Sequence, residues 1–433
     1  MRLNADLPRR GYRRSSGVSR TRRLRTGIAA FPAIAVLAAT LGTTLFAPPA
    51  GASWWKPSYD WPSSSDVAVT PLVRPSVESV FEARARTGRA DTPFRFVAFG
   101  DQRALADGEW QQMLHRVASV SAAGNGIDFL LDTGDIVNDG RHTDQFARLA
   151  NEILAIVPDR PYLVGVGNHE VHDNDAQARA NTATFLSPLD PVLSPDRLYY
   201  RKDLGPATFL FLDTNDLVYG DDGERGECPP EIAPGTRAAA QIEWLAFELE
   251  DLRAHPRPLV FAVLHHPFVQ SSQKHRDAAA SLWNLRVRGT SFPDFLADGG
   301  VHVVLTGHTH TYERFVLTRD DGRAMHVVNL SGRPRGSAFG FGAGRRRARD
   351  IRGEEAEKLG EWGWRDLARW SITQEAAMRK EDEANQFATF TVDPDGGLTM
   401  EVHFVDEEAA IEAEANGGDD ASGPRRVEPV RLR

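Results

Sequence analysis

YLVGVGNHE, residues 162–170, is a short apolar run that stops on Gly167-Asn168-His169-Glu170. A run this short and this continuously apolar suits a strand buried on both faces, and its polar tetrad then falls at the carboxyl end. The same pattern recurs outward along the chain. Upstream, FRFVAFGD (94–101) ends on Gly100-Asp101, and IDFLLDTGD (127–135) ends on Gly134-Asp135. Downstream, LVFAVLHHP (259–267) ends on His265-His266-Pro267, and VHVVLTGHTH (301–310) ends on Gly307-His308-Thr309-His310. Thr208–Leu212 is a further run of this type. Helix-length amphipathic stretches at 107–122, 143–156, 175–186 and 237–254 lie between the runs. Strands alternating with helices predict an α/β layered fold.

Ligands of α/β sheets gather at the carboxyl ends of the strands, where all five polar endings fall. The residue types there are Asp, Asp, Asn and His, with no Cys. Oxygen and imidazole donors suit Mn, Fe, Zn or Co rather than a calcium cage or a thiolate zinc site. A glycine ahead of most of these ligands lets the backbone turn sharply as it leaves the strand. Any one of these endings alone reads as turn chemistry. All five in one chain, each behind an apolar run, read as a metal site.

The set GD (100–101), GD (134–135), GNHE (167–170), HHP (265–267) and GHTH (307–310) resembles the calcineurin-like metallophosphoesterase superfamily. Residues 307–314, GHTHTYER, are similar to the corresponding stretch of purple acid phosphatases. The resemblance implies an α/β fold, a four-layer α-β-β-α sandwich of two mixed sheets flanked by helices. It also implies two divalent or trivalent metal ions (Mn, Fe or Zn) and hydrolysis of phosphate esters by a metal-bound hydroxide. Carried over position by position, Asp135 matches the carboxylate that bridges both metals. Asn168, His265 and His308 match the ligands of one metal, and Asp101 and His310 those of the other. His169 matches the histidine that protonates the leaving oxygen. Glu170, next in the chain, is read either as orienting that imidazole or as an acid favourable to a helix N-terminus. His275, ten residues after His265, matches a second substrate-contacting histidine.

Two positions depart from that pattern. Most of the superfamily carries D-x-H at the first motif, but Asp101-Gln102-Arg103 has Arg where the histidine ligand belongs. Purple acid phosphatases replace that histidine with a Tyr three residues beyond the bridging Asp, and here that position is Asn138. Asn138 is therefore a candidate ligand through its amide oxygen. Guanidinium stays protonated and cannot bind a metal, so Arg103 is read as a phosphate clamp or the partner of a nearby acid. His142, His172 and His266 are expected on a solvent-exposed rim.

The 433 residues carry a formal net charge of −9, unevenly spread. Residues 1–52 hold nine Arg against one Asp, a net +8 that leaves −17 for the rest. A body that acidic repels nucleic acid and anionic membrane surfaces, so no bulk nucleic-acid partner is expected. The lone cysteine, Cys228, excludes an intramolecular disulfide and a Cys-built metal site. An Arg-rich start, an apolar run from Ile28 to Ala47 and Ala50-Gly51-Ala52 read as an export signal within 1–52. Membrane attachment is expected only if that segment stays uncleaved.

Residues 53–93, rich in Pro, Ser and Trp, read as an extended linker ahead of a metallophosphoesterase domain at 94–407. Within the domain, 314–318, 325–330, 387–393 and 398–404 read as strands. Asp393-Pro394-Asp395-Gly396-Gly397 supplies a hairpin signal between the last two. Residues 333–386 read as an insert with a Gly/Arg tract and a Trp-rich helical part, and 408–433 as a disordered tail. The expected function is an exported phosphohydrolase acting on small phosphate monoesters. A phosphodiesterase on nucleotide or lipid head-group diesters is the alternative, and an inactive phosphate-binding module the other.

Overall fold

The computed structural model describes residues 68–103, 109–122, 126–220, 232–271, 275–331, 349–352, 354–377, 385–405 and 430–432. The strands are β1 (Phe94–Phe99), β2 (Phe129–Asp132), β3 (Tyr162–Val164), β4 (Tyr200–Leu204), β5 (Ala207–Phe211), β6 (Leu259–Val263), β7 (Arg286–Val287), β8 (Thr290–Ser291), β9 (Val303–Thr306), β10 (Glu313–Arg319), β11 (Ala324–Asn329), β12 (Arg349–Asp350), β13 (Trp370–Ala377), β14 (Asn385–Val392), β15 (Leu398–Val405) and β16 (Val430–Arg431). A six-stranded sheet runs β16-β15-β14-β1-β2-β3, and an eight-stranded sheet runs β12-β13-β10-β11-β9-β6-β5-β4. β7 and β8 form a separate ribbon. In the first sheet β1, β2 and β3 are parallel. In the second, β5, β6, β9 and β11 are parallel.

Alternation along the strands divides their side chains between two cores. Phe209 and Phe211 of β5, Phe261 and Val263 of β6, and Val303 and Leu305 of β9 belong to the core shared with the six-stranded sheet. Leu210, Val260, Ala262 and Val304 belong to a second core with Leu245, Leu249 and Trp283 of the helices. A strand covered on both faces has no polar side, which is why these segments are continuously apolar. Phe96 marks the junction of the sheets. It stacks on Phe129 at 5.0 Å and Phe390 at 4.8 Å within its own sheet, and meets Phe209 at 5.4 Å and Phe261 at 5.7 Å edge-on from the other. Each such pair adds about 0.5–1.5 kcal/mol beyond the area it buries.

Helices Glu109–Ala122, Thr143–Ile156, Ala176–Leu186 and Arg237–Ala254 fall where the sequence places them. In Thr143–Ile156, Phe146, Leu149, Ala150 and Ile153 recur on one face and are buried, the spacing of an amphipathic helix. Thr236 caps Arg237–Ala254 by accepting from Ala239 N. The outcome is the expected α/β arrangement of two mixed sheets flanked by helices.

Three expectations need correction. The stretch read as an extended linker contains a helix, Val77–Arg86, capped by Ser76. Its Arg84 is buried against Asp128 at 2.9 Å, and Leu72 and Val77 join the inter-sheet core. The stretch read as a helical insert contains the helix Glu354–Glu361 but also β13, which pairs along the whole of β10. Trp370 starts that strand, and its ring lies 6.3 Å from Trp283. The tail read as disordered returns as β16, pairing Val430 with Met400, with Leu432 buried. In all three cases an edge or groove elsewhere in the fold supplies the partner, which no local pattern announces. The export signal, the Gly/Arg tract at 336–348, Cys228 and residues 408–429 lie outside the described residues.

Candidate metal centre

The parallel pairings bring the polar endings together. β1 pairs with β2 as far as Phe99 against Asp132, so the next residues, Gly100-Asp101 and Thr133-Gly134, emerge side by side. Asp101 N donates to Gly134 O at 2.9 Å, and Gly307 N donates to His265 O at 3.0 Å. The loops of the two sheets then meet. His308 N donates to both carboxylate oxygens of Asp101, at 3.0 and 2.8 Å, and the His265 ring reaches Thr133 O at 3.1 Å through Nδ1. Gly134 adopts φ +105°, where a Cβ would lie 2.5 Å from Gly167 N. Only glycine permits that approach. Asp101, Asp135, His308 and His310 themselves have φ between 54° and 68°. With Arg103 and His275, that makes six non-glycine residues in left-handed conformation at one place, strain that the surrounding fold must hold.

Four donor atoms converge at one position. Asn168 Oδ1 lies 3.1 Å from His265 Nε2 and 2.9 Å from His308 Nδ1; His265 Nε2 lies 3.2 Å from His308 Nδ1 and 3.3 Å from Asp135 Oδ1. With Nδ1 against a carbonyl, the neutral ring of His265 carries its proton on that side and presents a lone pair at Nε2. That lone pair, the Asn168 amide oxygen and the Asp135 carboxylate then face one another, which is repulsive without a cation among them. Burial and the neighbouring histidines hold the His308 imidazole far below its ordinary pKa. A neutral, lone-pair-bearing ring is the form that binds metal. Asp135, although burial opposes its ionisation, is kept well below the carboxylate range by His265, His169 and Arg103. These four residues fit a metal.

The second group is different. Asp101, Asp135 and His310 bring one donor atom each to within 4.8 Å of one another. Arg103 stands among them: Nη2 donates to Asp135 Oδ2 at 3.3 Å and lies 3.0 Å from His310 Nε2. Burial and the Asp135 charge raise the Asp101 pKa to about 6, against pulls from His265, the Ser331 hydroxyl and Arg103. Asn138 meets the site through its backbone. Its carbonyl lies 2.5 Å from His169 Nδ1, and its N–H donates to Gln145 Oε1 at 2.8 Å. His169 N donates to Asp135 Oδ1 at 3.0 Å, and its Nε2 lies 3.8 Å from Asp135 Oδ2. With Nδ1 held by a carbonyl, Nε2 is the atom turned to the centre. Burial lowers the His169 pKa to about 4.

His275, in left-handed conformation at the start of Arg276–Asn284, packs its ring 4.2 Å from that of His308 and 6.3 Å from that of His310. Sequence spacing thus delivers it to the centre. His266 does not lie on an exposed rim: it is fully buried, its Nδ1 2.8 Å from the Thr214 hydroxyl and its ring 4.3 Å from His308. The strand run ahead of it continues inward, so its side chain faces the helix side of the sheet.

Glu170 does not contact His169 through its side chain. It is fully buried and accepts from Asp135 N at 2.7 Å, Gly167 N at 2.7 Å and Val137 N at 3.0 Å, tying the two ligand loops together.

Sequence reasoning passed over Asp132, Gln102 and Tyr162, although an acid inside the apolar run FLLDTGD was visible. Asp132 Oδ2 accepts from Tyr162 Oη at 2.5 Å and from Gln102 Nε2, and Oδ1 accepts from Gly134 N at 2.9 Å. Burial pushes its pKa up to about 8. A carboxyl raised in the fold binds a proton that the unfolded chain has released above about pH 4. Its contribution is therefore intact below that pH and is lost as pH climbs towards 8. The metal-free protein should melt at progressively lower temperature between pH 5 and 8, and Asp132→Asn should flatten that slope. An equal slope in the variant would remove Asp132 as its source.

A two-sheet α/β sandwich whose strand ends gather buried carboxylate, amide and imidazole donors is the arrangement of the metallophosphoesterase class. The family profile described as Calcineurin-like phosphoesterase matches residues 94–312, just over half of the chain. The chain belongs to that family. It is similar to purple acid phosphatase 22 of Arabidopsis thaliana, 25% identical over 53% of this chain and 47% of that protein. It is also similar to a probable purple acid phosphatase 20 of the same plant, 26% identical over 59% and 56%. The chain spans about half the length of these curated relatives. Among solved structures, a purple acid phosphatase from yellow lupin seeds covers 72% of this chain and 52% of its own, at 16% identity and TM-score 0.48.

Proposed function

We propose that this chain is an exported, metal-dependent phosphohydrolase acting on small phosphate monoesters. The reading rests on one observation, the convergence of Asp135 Oδ1, Asn168 Oδ1, His265 Nε2 and His308 Nδ1 within 3.3 Å of their neighbours. A metal held there supplies Lewis acidity, neutralising phosphate charge and acidifying a water.

The chain's own residues supply the rest. Arg103 presents a permanent cation to the phosphate, and a guanidinium is suited to hold two phosphate oxygens at once. His169 Nε2 gives its proton to the leaving oxygen, with Nδ1 fixed by the Asn138 carbonyl so that the ring cannot turn away. His275 lies on the His308–His310 side, where it can contact a phosphate oxygen. The second metal implied by the resemblance would have to share Asp135 and His310 with the Arg103 guanidinium. The proposal is therefore written for the four-atom position.

Export rests on the basic, apolar and Ala-x-Ala segments of residues 1–52. Among the described residues no helix is long and apolar enough to cross a membrane.

The purified chain, stripped by chelator and reloaded with Mn, Zn or Fe, should hydrolyse 4-nitrophenyl phosphate and turn over bis(4-nitrophenyl) phosphate far more slowly. No turnover of either ester under any metal would sink the enzyme reading. Faster diester cleavage would move it to the phosphodiesterase alternative.

A further inference from the structure

We infer that the Arg103 guanidinium takes the place of a metal ion among Asp101, Asp135 and His310, so that this centre works with a single metal. The inference rests on the proposed phosphohydrolase reading and changes its inventory of cations. Arginine is a donor only, and its five N–H groups carry no lone pair. The 3.0 Å approach of Nη2 to His310 Nε2 therefore requires that nitrogen to be the acceptor, with its lone pair aimed at Arg103. Asp135 Oδ2 accepts from the same Nη2 at 3.3 Å. These are the atoms, together with Asp101, that a first metal would need. A metal bound to Asp135 Oδ2 and His310 Nε2 would contend with the Nη2 nitrogen for the same two lone pairs.

Arg103 cannot give way as a lysine does, because guanidinium does not lose its proton in a protein. Nor is it a surface side chain visiting the site. Its backbone N–H donates to Asp135 O at 2.9 Å, its φ is 56°, and its side chain is 11% exposed. The histidine that a D-x-H motif would add is also missing, since Arg103 itself stands at that position, and Asn138 meets the site through its main-chain carbonyl. Charge points the same way. Asp101 and Asp135 are the only carboxylates named in the two donor groups, and one guanidinium with one divalent ion already exceeds their charge. The Arg103 Nε–H is buried and has no partner among the described residues.

The test uses the full chain loaded with excess Mn(II) and desalted, read by elemental analysis and by electron paramagnetic resonance. The unaltered protein should hold about one Mn per chain with the hyperfine spectrum of an isolated ion. Arg103→His, which restores the D-x-H pattern, should hold about two and show exchange coupling between them. Two coupled ions in the unaltered protein would overturn the inference, whatever the variant does. One ion in both proteins, with Arg103→His folded by circular dichroism, would overturn the assignment of Arg103 as the residue that excludes the second. Two ions with phosphatase turnover would leave the phosphohydrolase reading standing without this inference. One ion with no turnover would do the reverse.

Discussion

Replacing His169 with alanine is expected to slow hydrolysis of an alkyl phosphate monoester by about 10²–10⁴-fold, the usual worth of a positioned general acid. The same variant should slow 4-nitrophenyl phosphate much less, because nitrophenolate departs readily without a proton. The expectation comes from the ring's anchoring. Nδ1 lies 2.5 Å from the Asn138 carbonyl, so Nε2 is the only nitrogen left to face the centre. Burial lowers the pKa to about 4, with Arg103 adding to the effect and Asp135 opposing it. The proton-bearing form therefore grows as pH falls, and a dianionic phosphate beside the ring stabilises it further. On this basis kcat for the alkyl ester should rise on the acid side of neutrality in the unaltered enzyme and lose that rise in the variant. Equal losses on both esters would make His169 a binding residue rather than a proton donor, and kcat ratios at matched pH decide between them.

Glu170→Gln should cost about 3 kcal/mol or more of folding stability, a large effect for one amide replacing one carboxylate. The carboxylate is fully buried and accepts from three backbone N–H groups, on Asp135, Val137 and Gly167. Burial and the nearby Asp135 charge push its pKa up, and the three donors act in the opposite direction. Glutamine keeps one acceptor oxygen and turns an NH₂ group towards an N–H, leaving a buried donor unpaired. Because these N–H groups lie on the loops that carry Asp135 and Asn168, metal affinity should fall along with stability. Denaturant unfolding and elemental analysis read the two effects separately. A loss below about 1 kcal/mol would show that the carboxylate does not hold the loops together.

Much of this site was legible before folding. FRFVAFGD, FLLDTGD, YLVGVGNHE, LVFAVLHHP and VHVVLTGHTH each carry their own strand and stop, so Asp101, Asp135, Asn168, His265 and His308 could be assigned to strand ends from local sequence alone. His275 was found by its offset from His265, and the structure brings its ring against His308. His266 was misjudged because both rings of the pair are buried, His265 among the candidate ligands and His266 against the Thr214 hydroxyl, which only the helix packed over the strand end decides. Of the two readings of Glu170, the helix N-terminal acid is the one its contacts match, since its oxygens accept from backbone N–H groups at the helix start and in the Asp135 loop. β13 and β16 were missed because a strand can take its conformation from the neighbour it pairs with, here β10 and β15.

The sequence by itself determined the layers and where the candidate ligands fall, because continuous apolar runs force burial on both faces and each run's polar ending must then leave the sheet at one edge. Only the tertiary structure decided what those ligands face. Arg103 Nη2 reaches His310 Nε2 across 207 residues of chain, and His308 Nδ1 reaches Asn168 Oδ1 across 140. The left-handed backbone at Asp101, Asp135, His308 and His310 is likewise imposed from outside, since none of these residues prefers it unaided. Contacts this distant depend on how two sheets seat against each other, and the seating is set by the packing of Phe96, Phe209 and Phe261 rather than by any motif. The motif thus specified a candidate metal site, and the packing placed a guanidinium within it.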